Sequence, residues 1–502
     1  MGIIIRQSIK STIVSYVGVA IGILNIVVLA TKYFSPVQVG LSRVLFENAL
    51  LFSSIAQLGI PYIAIKYFAH FRSQEKKNQG FLAFLLMYGL GGFVLFLIFY
   101  IFSKGFFVHY YQPRSPEIIE YYYFLLPIVF FTIYLNIFEA YCQVNERIVV
   151  PTIVREIFLK LTNSVLILFY ATGVFSFDTY LTWLIILLGV APLLLIIYLK
   201  QMRRLFLQKD FSLLNREFLR EMVIYGLFIV LGGIGNILAT KIDVLMLPAM
   251  TSLQSTGIYV IAIFIATVIE IPKRSISQIA TPILADAIKK NDQVMVNELY
   301  KKTALTQLIV GSLLFLGIWC NIDSIFRIMP NTAIYEQGKY VVFFIALARL
   351  IDMASGVNTE IILNSKYFRF GLTSIAVLAS LTIALNLVFI PIYGINGAAV
   401  AASLSIFIYT LIKLVYVWAK FKLQPYTYHT LLVLLCASIT FGVQLIFPES
   451  SGTLVSNVIY LTGKSILILV VFIGLIYKLK VSEDVNRLAA IVISKLKKEK
   501  SE

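Results

Sequence analysis

Fourteen apolar stretches, each about twenty residues long, follow one another along this 502-residue chain. A hydrocarbon core about 30 Å thick is crossed by about 20 residues of helix, in which each backbone N–H and C=O is satisfied without water. The sequence therefore predicts an all-α polytopic membrane protein with about fourteen transmembrane helices. The predicted spans are 11–31, 42–65, 80–103, 118–142, 149–171, 179–199, 222–247, 253–272, 303–322, 337–362, 370–391, 394–417, 428–447 and 457–477.

Lysine and arginine are concentrated on one alternating set of the connecting loops. Of the 42 Lys and Arg residues, 30 lie on the N-terminal side of the predicted membrane and in the loops equivalent to it. Because cationic loops are retained in the cytoplasm, we expect a multi-pass membrane protein with both termini cytoplasmic. The net charge of +17 then reflects this orientation and the attraction of anionic headgroups, and it does not require nucleic acid as a partner.

The connections between the spans are short. The longest, near 199–221 and 273–302, are basic and have room for one amphipathic helix each, and the chain contains neither a Gly-rich phosphate loop nor a His-Glu-x-x-His zinc motif. A membrane enzyme that transfers sugars or lipids usually needs a folded region outside the membrane to hold its donor. The pattern therefore favours a transporter over an enzyme, and we expect no cofactor and no metal.

Two parts of the chain resemble each other at an offset of 221 residues. Ser54–Pro61 reads SIAQLGIP and Ser275–Pro282 reads SISQIATP, and the same offset relates Glu139 to Glu360. Both matches shift the span number by six, as in transporters built from repeated bundles. We therefore expect two pseudo-symmetric six-helix bundles that rock to open a central cavity to alternate sides, followed by two C-terminal helices. The predicted divisions are 1–200 (first bundle), 201–221 (cytoplasmic linker), 222–420 (second bundle), 421–480 (last two helices) and 481–502 (basic cytoplasmic tail).

Three stretches of the sequence carry a resemblance to a known family. Asn386–Ser405 reads NLVFIPIYGINGAAVAASLS, and Leu29–Pro61 and Lys241–Pro272 are similar to the corresponding regions of that family. The chain resembles the polysaccharide-repeat (O-antigen and capsule, Wzx-type) flippases of the multidrug, oligosaccharidyl-lipid and polysaccharide exporter superfamily. This resemblance implies that the protein moves undecaprenyl-diphosphate-linked oligosaccharide from the inner to the outer leaflet. It also implies a place in the bacterial cytoplasmic (inner) membrane, with membrane lipids, a polysaccharide polymerase and its chain-length machinery as partners.

The Asn386–Ser405 stretch has a structural interpretation of its own. Pro391 is expected to end a helix, and Gly394 and Gly397 permit a tight external reversal of the chain. The alanines that follow allow the next helix to pack closely. We therefore interpret this stretch as a structural element and not as a binding site.

Ionised side chains inside the spans are the candidates for a substrate site. Each costs at least about 2.5–3.5 kcal/mol on insertion scales, so it usually faces a cavity or a partner. A lipid diphosphate is anionic, and arginine is suited to bidentate phosphate contact. We predict a cationic substrate-binding cavity that contains Arg43, Arg155, Lys160, Lys241 and Arg349.

The alternative is that these cations pair with nearby carboxylates. The available pairs are Arg43 with Glu47, Lys241 with Asp243, Arg349 with Asp352, and Glu270 with Lys273 or Arg274. Arg155 need not be neutralised by Glu156, because adjacent helical residues point in different directions. Lys413 and Lys464 lie near span ends, and we expect both side chains to reach the membrane interface.

Five carboxylates inside the spans could couple transport to protons or cations. A buried acid changes charge as its hydration changes, which supplies a coupling mechanism. These candidates are Glu47, Asp243, Glu270, Asp352 and Glu360.

Other functions fit the sequence less well. A multidrug or organic-cation antiporter of the same superfamily should have an acidic or aromatic cavity, and the first span contains no acidic residue. A lipid II flippase would share the mechanism and differ in its sugar contacts. A membrane glycosyltransferase or polymerase is disfavoured by the short external loops. The aromatic run YYYFLLP at Tyr121–Pro127 fits an interfacial belt better than a sugar-stacking surface.

Overall fold

A computed structural model of the protein describes residues 3–72, 77–208, 211, 215–446, 453–483 and 486–487. The chain divides into two compact units, Met1–Gly257 and Ile258–Glu502. The division falls later in the chain than the linker predicted at 201–221, because the long helix at Arg216–Met250 packs against helices of the first unit. The five divisions proposed from the sequence remain predictions, and the last of them lies mostly outside the described residues.

The first unit is built around one central helix. Its helix α8 packs against α3, α4, α5 and α11, and α12 packs against α3 and α4. The α-helices are α1 Ile3–Ile23, α2 Thr31–Tyr33, α3 Pro36–Ala56, α4 Ile60–Phe71, α5 Phe81–Phe102, α6 Lys104–Tyr111, α7 Glu117–Glu120, α8 Leu125–Val144, α9 Val149–Ile153, α10 Leu159–Ala171, α11 Phe177–Gln201 and α12 Arg216–Met250. The π-helical turns Leu24–Ala30 and Val154–Phe158 join α1 to α2 and α9 to α10.

The second unit has α15 at its centre, packed against α14, α18, α21 and α22. Helix α13, Leu253–Thr267, crosses the division between the units. The helices that follow are α14 Ile271–Lys289, α15 Gln293–Trp319, α16 Ile322–Ile328, α17 Thr332–Tyr335, α18 Lys339–Ala354, α19 Asn358–Leu363, α20 Phe368–Phe421, α21 Tyr428–Gln444 and α22 Leu454–Lys478.

The predicted spans correspond to helices of the structure. Within the described ranges, ten helical stretches are long and apolar enough to cross a membrane, and one of them, α20, is 54 residues long and contains two predicted spans. Three other predicted spans correspond to shorter helices. One corresponds to α9 and α10 together, which a π-turn separates, and the other two correspond to α18, with 16 residues, and α21, with 17 residues. The prediction of an all-α polytopic membrane protein with about fourteen spans is confirmed.

The second and eighth spans are both broken helices. Between α3 and α4, Leu58 and Gly59 have positive φ values of 50° and 79°, and a single 3-10 turn separates α13 from α14. An Ile-Pro pair begins the second segment in each case, since proline is tolerated in the first turn of a helix. The offset of 221 residues is therefore wrong for these breaks: it pairs Pro61 with Pro282, which lies inside α14, whereas the break itself aligns Pro61 with Pro272.

The reversal expected after Pro391 is present inside α20. Gly394 has φ 58° and ψ −129°, a conformation that a residue with a Cβ rarely adopts. A Cβ on Gly397 would lie 2.0 Å from the carbonyl oxygen of Phe389, so only glycine fits this close approach. Ala398 and Ala399 are fully buried just beyond it. These contacts confirm the structural interpretation of the Asn386–Ser405 stretch.

Alanine at Gly394 is expected to lower the free energy of unfolding by about 1–3 kcal/mol, the usual cost of holding a non-glycine residue in such a conformation. No atom lies within 4 Å of the added Cβ, so the effect isolates backbone strain. Gly91→Ala in α5 is the matched control, because its Cβ also meets no atom within 4 Å and its φ is helical. Thermal unfolding in detergent measures both variants, and equal melting temperatures would contradict the assigned strain.

Candidate substrate site

A cluster of charged side chains in the first unit is centred on Glu47, in the middle of α3. The Glu47 side chain is 5% exposed and forms ion pairs with two cations. Arg43 lies one turn earlier on α3, and Lys241 reaches from α12 with its Nζ at 3.0 Å. The predicted Arg43–Glu47 pair is confirmed. Pairing of Lys241 with Asp243 is wrong, because Lys241 contacts Glu47 while the buried Asp243 carboxylate accepts the backbone N–H of Val244.

Arg155 lies in the π-turn between α9 and α10 and has a carboxylate of its own. Its Nε and Nη2 both donate to Glu139 of α8 at 2.7 Å, and Nη2 also donates to Asn136 at 2.7 Å. As expected, the neighbouring Glu156 is not its partner. The bidentate contact with Glu139 means that Arg155 is locally neutralised.

Lys160 is neutralised in a similar way, one turn after the carboxylate that it contacts. Its Nζ lies 2.6 Å from Glu156 and donates to the carbonyl oxygen of Gly18 in α1 at 2.9 Å. The ammonium therefore has one carboxylate and one backbone partner, and α1 is attached to α10 through it.

Polar contacts connect the first π-turn, Leu24–Ala30, to helix α10. Asn25, in the turn Leu24–Ala30, is 3% exposed and donates to the carbonyl oxygen of Lys160 at 2.7 Å. The hydroxyl of Ser164 donates back to Asn25. π-turns often occur at functional sites, and here the turn Val154–Phe158 contains Arg155 and directly precedes Lys160, while the turn Leu24–Ala30 contacts Lys160 through Asn25.

The second unit contains a buried cluster centred on Asp352 of α18. Lys273 Nζ lies 2.5 Å from one carboxylate oxygen, and Lys413 Nζ lies 3.6 Å from the other. Lys413 also donates to the hydroxyl of Thr359 at 3.0 Å and is 2% exposed. The expectation that Lys413 reaches the membrane interface is wrong, because its side chain points into the unit.

Sequence reasoning placed Lys273 in a connection, and the structure corrects this. Most of the segment 273–302 is helical: α14 continues to Lys289 and α15 begins at Gln293. The mixed polarity of α14 hid it from a search for apolar spans. Its first turn packs near α18, which brings Lys273 to Asp352.

Glu270, just before α14, is shared by two arginines. Arg349 Nη1 lies 3.3 Å from one oxygen, and Arg274 Nη2 lies 3.6 Å from the other. The Arg274 pair was among those predicted, whereas pairing of Arg349 with Asp352 is wrong because Lys273 and Lys413 occupy Asp352. Arg349 is 20% exposed and Arg274 is 72% exposed.

Glu360, predicted as the counterpart of Glu139, lies in α19 within electrostatic reach of Lys413. Its Oε2 is buried and has no hydrogen-bond partner in the described part of the chain. Glu139, by contrast, is occupied by Arg155. The two glutamates therefore differ in their surroundings.

Three carboxylates are each shared by two cations: Glu47, Asp352 and Glu270. Each carboxylate carries one negative charge and contacts two cations, so it balances only one of the two positive charges. In the second unit, counting Glu360, three carboxylates face four cations, which are Lys273, Arg274, Arg349 and Lys413. Such a group can attract an anion into the membrane.

The aromatic run at Tyr121–Pro127 is divided between the core and the surface. Tyr122 is 2% exposed and stacks on Tyr100, with ring centroids 4.1 Å apart and planes 7° from parallel. Tyr123 is 52% exposed, as the interfacial belt requires. The belt interpretation is therefore wrong for Tyr122, which packs inside the first unit, and stays a prediction for the exposed Tyr123.

Glu47→Gln is expected to lower the free energy of unfolding by about 1–3 kcal/mol, because it leaves Arg43 and Lys241 without their buried counter-charge. Lys241→Gln should cost less, since the Arg43–Glu47 pair then remains. Chemical unfolding of both variants in detergent measures the difference. Equal losses would show that Glu47 is not the shared partner.

The fold defined by these helices is shared with known transporters. The lipid II flippase MurJ, in an inward closed conformation, is similar with a TM-score of 0.70 and 15% identity over 94% of this chain and 100% of that chain. An inward-facing multidrug resistance MATE family transporter of the MOP superfamily is similar with a TM-score of 0.64 and 13% identity, over 80% of this chain and 94% of that one. A MOP superfamily transporter from Pyrococcus furiosus is similar with a TM-score of 0.54 and 13% identity, over 84% of this chain and 95% of that one. The protein therefore has the fold of MOP-superfamily transporters.

The family is shown by the sequence itself. The family described as "Polysaccharide biosynthesis protein" matches residues 5–288, which is more than half of the chain. The chain belongs to this family, and the family prediction is confirmed. No curated protein sequence matches it.

Proposed function

We propose that the protein flips undecaprenyl-diphosphate-linked polysaccharide repeat units from the inner to the outer leaflet by alternating access. Membership of a polysaccharide biosynthesis family and the fold of a lipid flippase support this proposal. The observation that carries it is the excess of cations among the membrane helices of the second unit, where Arg349 and Arg274 share Glu270. An anionic headgroup needs such an environment, whereas an organic cation would be repelled by it.

In this mechanism the diphosphate enters a hydrated cavity while the polyprenyl chain stays in lipid. Arg349 contacts a phosphate oxygen, because its planar guanidinium matches the spacing of two phosphate oxygens. Since Arg349 is one-fifth exposed, a headgroup can reach it without unfolding the unit. Arg43, Arg155, Lys160 and Lys241 remain candidate contacts in the first unit, and of these Arg155 and Lys160 would first have to leave their own carboxylates.

Coupling to protons or cations is assigned to the carboxylates Glu47, Asp243, Glu270, Asp352 and Glu360. Two of them are favoured, since Glu47 and Glu360 each have a buried oxygen without a hydrogen-bond partner among the described residues. A carboxylate in that position can take up a proton or contact a cation, and its charge then changes the field at the neighbouring lysines and arginines.

Flipping in proteoliposomes tests the proposed function directly. A fluorescent undecaprenyl-diphosphate oligosaccharide is placed in both leaflets, and the fraction protected from an external quencher is followed with time. We expect the purified chain to exchange this lipid between leaflets and to exchange lipid II more slowly. A multidrug MATE transporter shares the fold, so efflux of a fluorescent organic cation without any lipid flipping would replace this proposal by the exporter function.

A further inference from the structure

Each unit has a cavity at the helix ends that the loop-charge pattern assigns to the cytoplasm. In the first unit its volume is about 400 Å³, and it lies where α4, α8 and α11 end. Its walls are apolar towards the helices, with Phe68 and Leu199, and polar towards the surface. The polar lining includes Arg72, Asn78, Asn145, Glu146, Arg147 and Arg204. The charged clusters described above do not take part in this cavity.

Helices α8 and α11 end in the same backbone geometry, and each end places an arginine in the lining of this cavity. At the end of α8, Glu146 has φ 62° and the N–H of Arg147 donates to the carbonyl of Cys142 at 2.9 Å. At the end of α11, Arg203 has φ 54° and the N–H of Arg204 donates to the carbonyl of Leu199 at 2.9 Å. Both are Schellman turns, in which a left-handed residue is followed by one whose N–H bonds back to the helix. An arginine follows the left-handed residue in both.

The base of the cavity is held by buried hydrogen bonds. Tyr141 is fully buried, and its hydroxyl donates to the carbonyl oxygen of Arg204 at 3.1 Å. The same hydroxyl accepts a hydrogen bond from Asn78 at 3.2 Å, and Asn78 is 2% exposed. These contacts fix the backbone of Arg204 against α8. The cavity is therefore a formed site and not a loose arrangement of surface loops.

The described residues that line the cavity carry more positive than negative charge. Three arginines line it, and Glu146 is the one carboxylate that the described part of the chain contributes to its lining. The ion pair of Arg72 with Glu146 is long, at 3.7 Å, and its side chains are 66% and 50% exposed, so it holds Arg72 weakly. Arg147 makes no ion pair in the described part of the chain. Helix dipoles and the orientation rule account for cations at these helix ends. They do not account for a cavity whose lining includes three arginines from three helix ends.

The second unit has a corresponding cavity of about 340 Å³ where α14, α19 and α20 end. Its helix ends are those six spans later in the chain. Asn291 has φ 55° and the N–H of Asp292 donates to Ala287 at 2.9 Å, so α14 ends in the same turn. Its cations are Lys366 and Lys420, which lack the fork of a guanidinium. We expect it to bind anions less selectively.

We propose that the cavity lined by Arg72, Arg147 and Arg204 binds a single phosphate group at the membrane surface. The phosphate can belong to the headgroup of an anionic phospholipid or be free inorganic phosphate. Paired guanidinium groups favour phosphate over uncharged polar ligands, and a cavity of about 400 Å³ holds a phosphate with its glycerol. The apolar walls at Phe68 and Leu199 place any attached acyl chains against the membrane helices. This cavity is separate from the charged clusters that are proposed to contact the transported substrate.

Lipid retention by the purified full chain tests this site. Native mass spectrometry and thermal unfolding are run with added phosphatidylglycerol, phosphatidylcholine or inorganic phosphate. We expect phosphatidylglycerol to bind at least about tenfold more tightly than phosphatidylcholine, which corresponds to about 1.4 kcal/mol. Arg147→Gln combined with Arg204→Gln should remove this preference. Arg147→Lys keeps the charge but loses the fork, and it should give an intermediate affinity in a chain that retains its fold.

The matched control is Arg216→Gln combined with Arg220→Gln, which removes the same charge from exposed positions on α12. The preference for phosphatidylglycerol should survive in this control. If inorganic phosphate displaces the lipid, the site exists and phosphate alone is a sufficient ligand. If the lipid is retained, the site exists and its ligand is the phospholipid. An unchanged preference in the cavity variant, or an equal loss in the control, would overturn the proposal.

Discussion

Asp352→Asn is expected to lower the free energy of unfolding by about 3–5 kcal/mol, the usual cost of removing one partner from a buried ion pair. The reason is geometric. Asp352 is the carboxylate for both Lys273 and Lys413, and Lys413 is 2% exposed. Without it, two ammonium groups remain close together in a medium that solvates them poorly. Chemical unfolding in detergent measures the loss.

The same cluster predicts a rescue. Lys413→Met has a similar volume and removes the more deeply buried cation while Asp352 keeps Lys273 as its partner, so the variant leaves no buried charge uncompensated and should be about as stable as the wild type. Combined with Asp352→Asn, it should recover part of the stability that Asp352→Asn loses alone. Asp286→Asn in α14 is the control, because the Asp286–Lys290 pair is 60% and 68% exposed and its loss should change little. Additive effects of the Asp352 and Lys413 substitutions would rule out the shared-carboxylate arrangement.

Arg349→Gln is expected to reduce flipping of the lipid-linked oligosaccharide by about 10–100-fold, the loss of one or two charge-assisted hydrogen bonds to the diphosphate. The variant should fold, because Glu270 keeps Arg274 as a partner. Initial rates in proteoliposomes at several substrate densities measure whether affinity or turnover is lost. Arg349→Lys keeps the charge without the fork and should retain an intermediate rate.

Glu270→Gln separates a substrate contact from a structural ion pair. This substitution removes the counter-charge and leaves Arg349 without its carboxylate. If Arg349 contacts the diphosphate, Glu270→Gln should bind substrate at least as tightly as the wild type while Arg349→Gln loses it. If the arginine only stabilises the fold through Glu270, both variants should lose stability and transport together, and the substrate role of Arg349 would be rejected.

The class of fold was predictable because the bilayer imposes one length and one polarity on every crossing segment. Each of the fourteen spans predicted from hydropathy corresponds to helix in the described part of the chain, including α18, although its helix has 16 residues. The break before Pro272 and the continuation of α14 to Lys289 were not predictable in this way. There the chain remains helical while its hydropathy falls, so a rule based on apolar length ends the span too early.

Some of the charged contacts could be predicted from the sequence, and others could not. Pairs one turn apart on a helix, such as Arg43 with Glu47 and Glu270 with Arg274, follow from the spacing of residues. Contacts between helices do not, because depth in the membrane says nothing about the direction in which a side chain points. Arg155 was therefore predicted without its partner Glu139, and the burial of Lys413 was missed.

A carboxylate that holds two guanidinium groups permits an exchange that a simple ion pair does not. In the proposed function, a phosphate that approaches Arg349 takes this arginine over from Glu270 while Glu270 keeps Arg274, so each charged group retains at least one partner. When the phosphate departs, the original contact re-forms. The free energies of the occupied and empty states then lie close together. A transporter that must release its substrate in every cycle requires this small difference in free energy, because a site that bound the substrate much more tightly would release it too slowly.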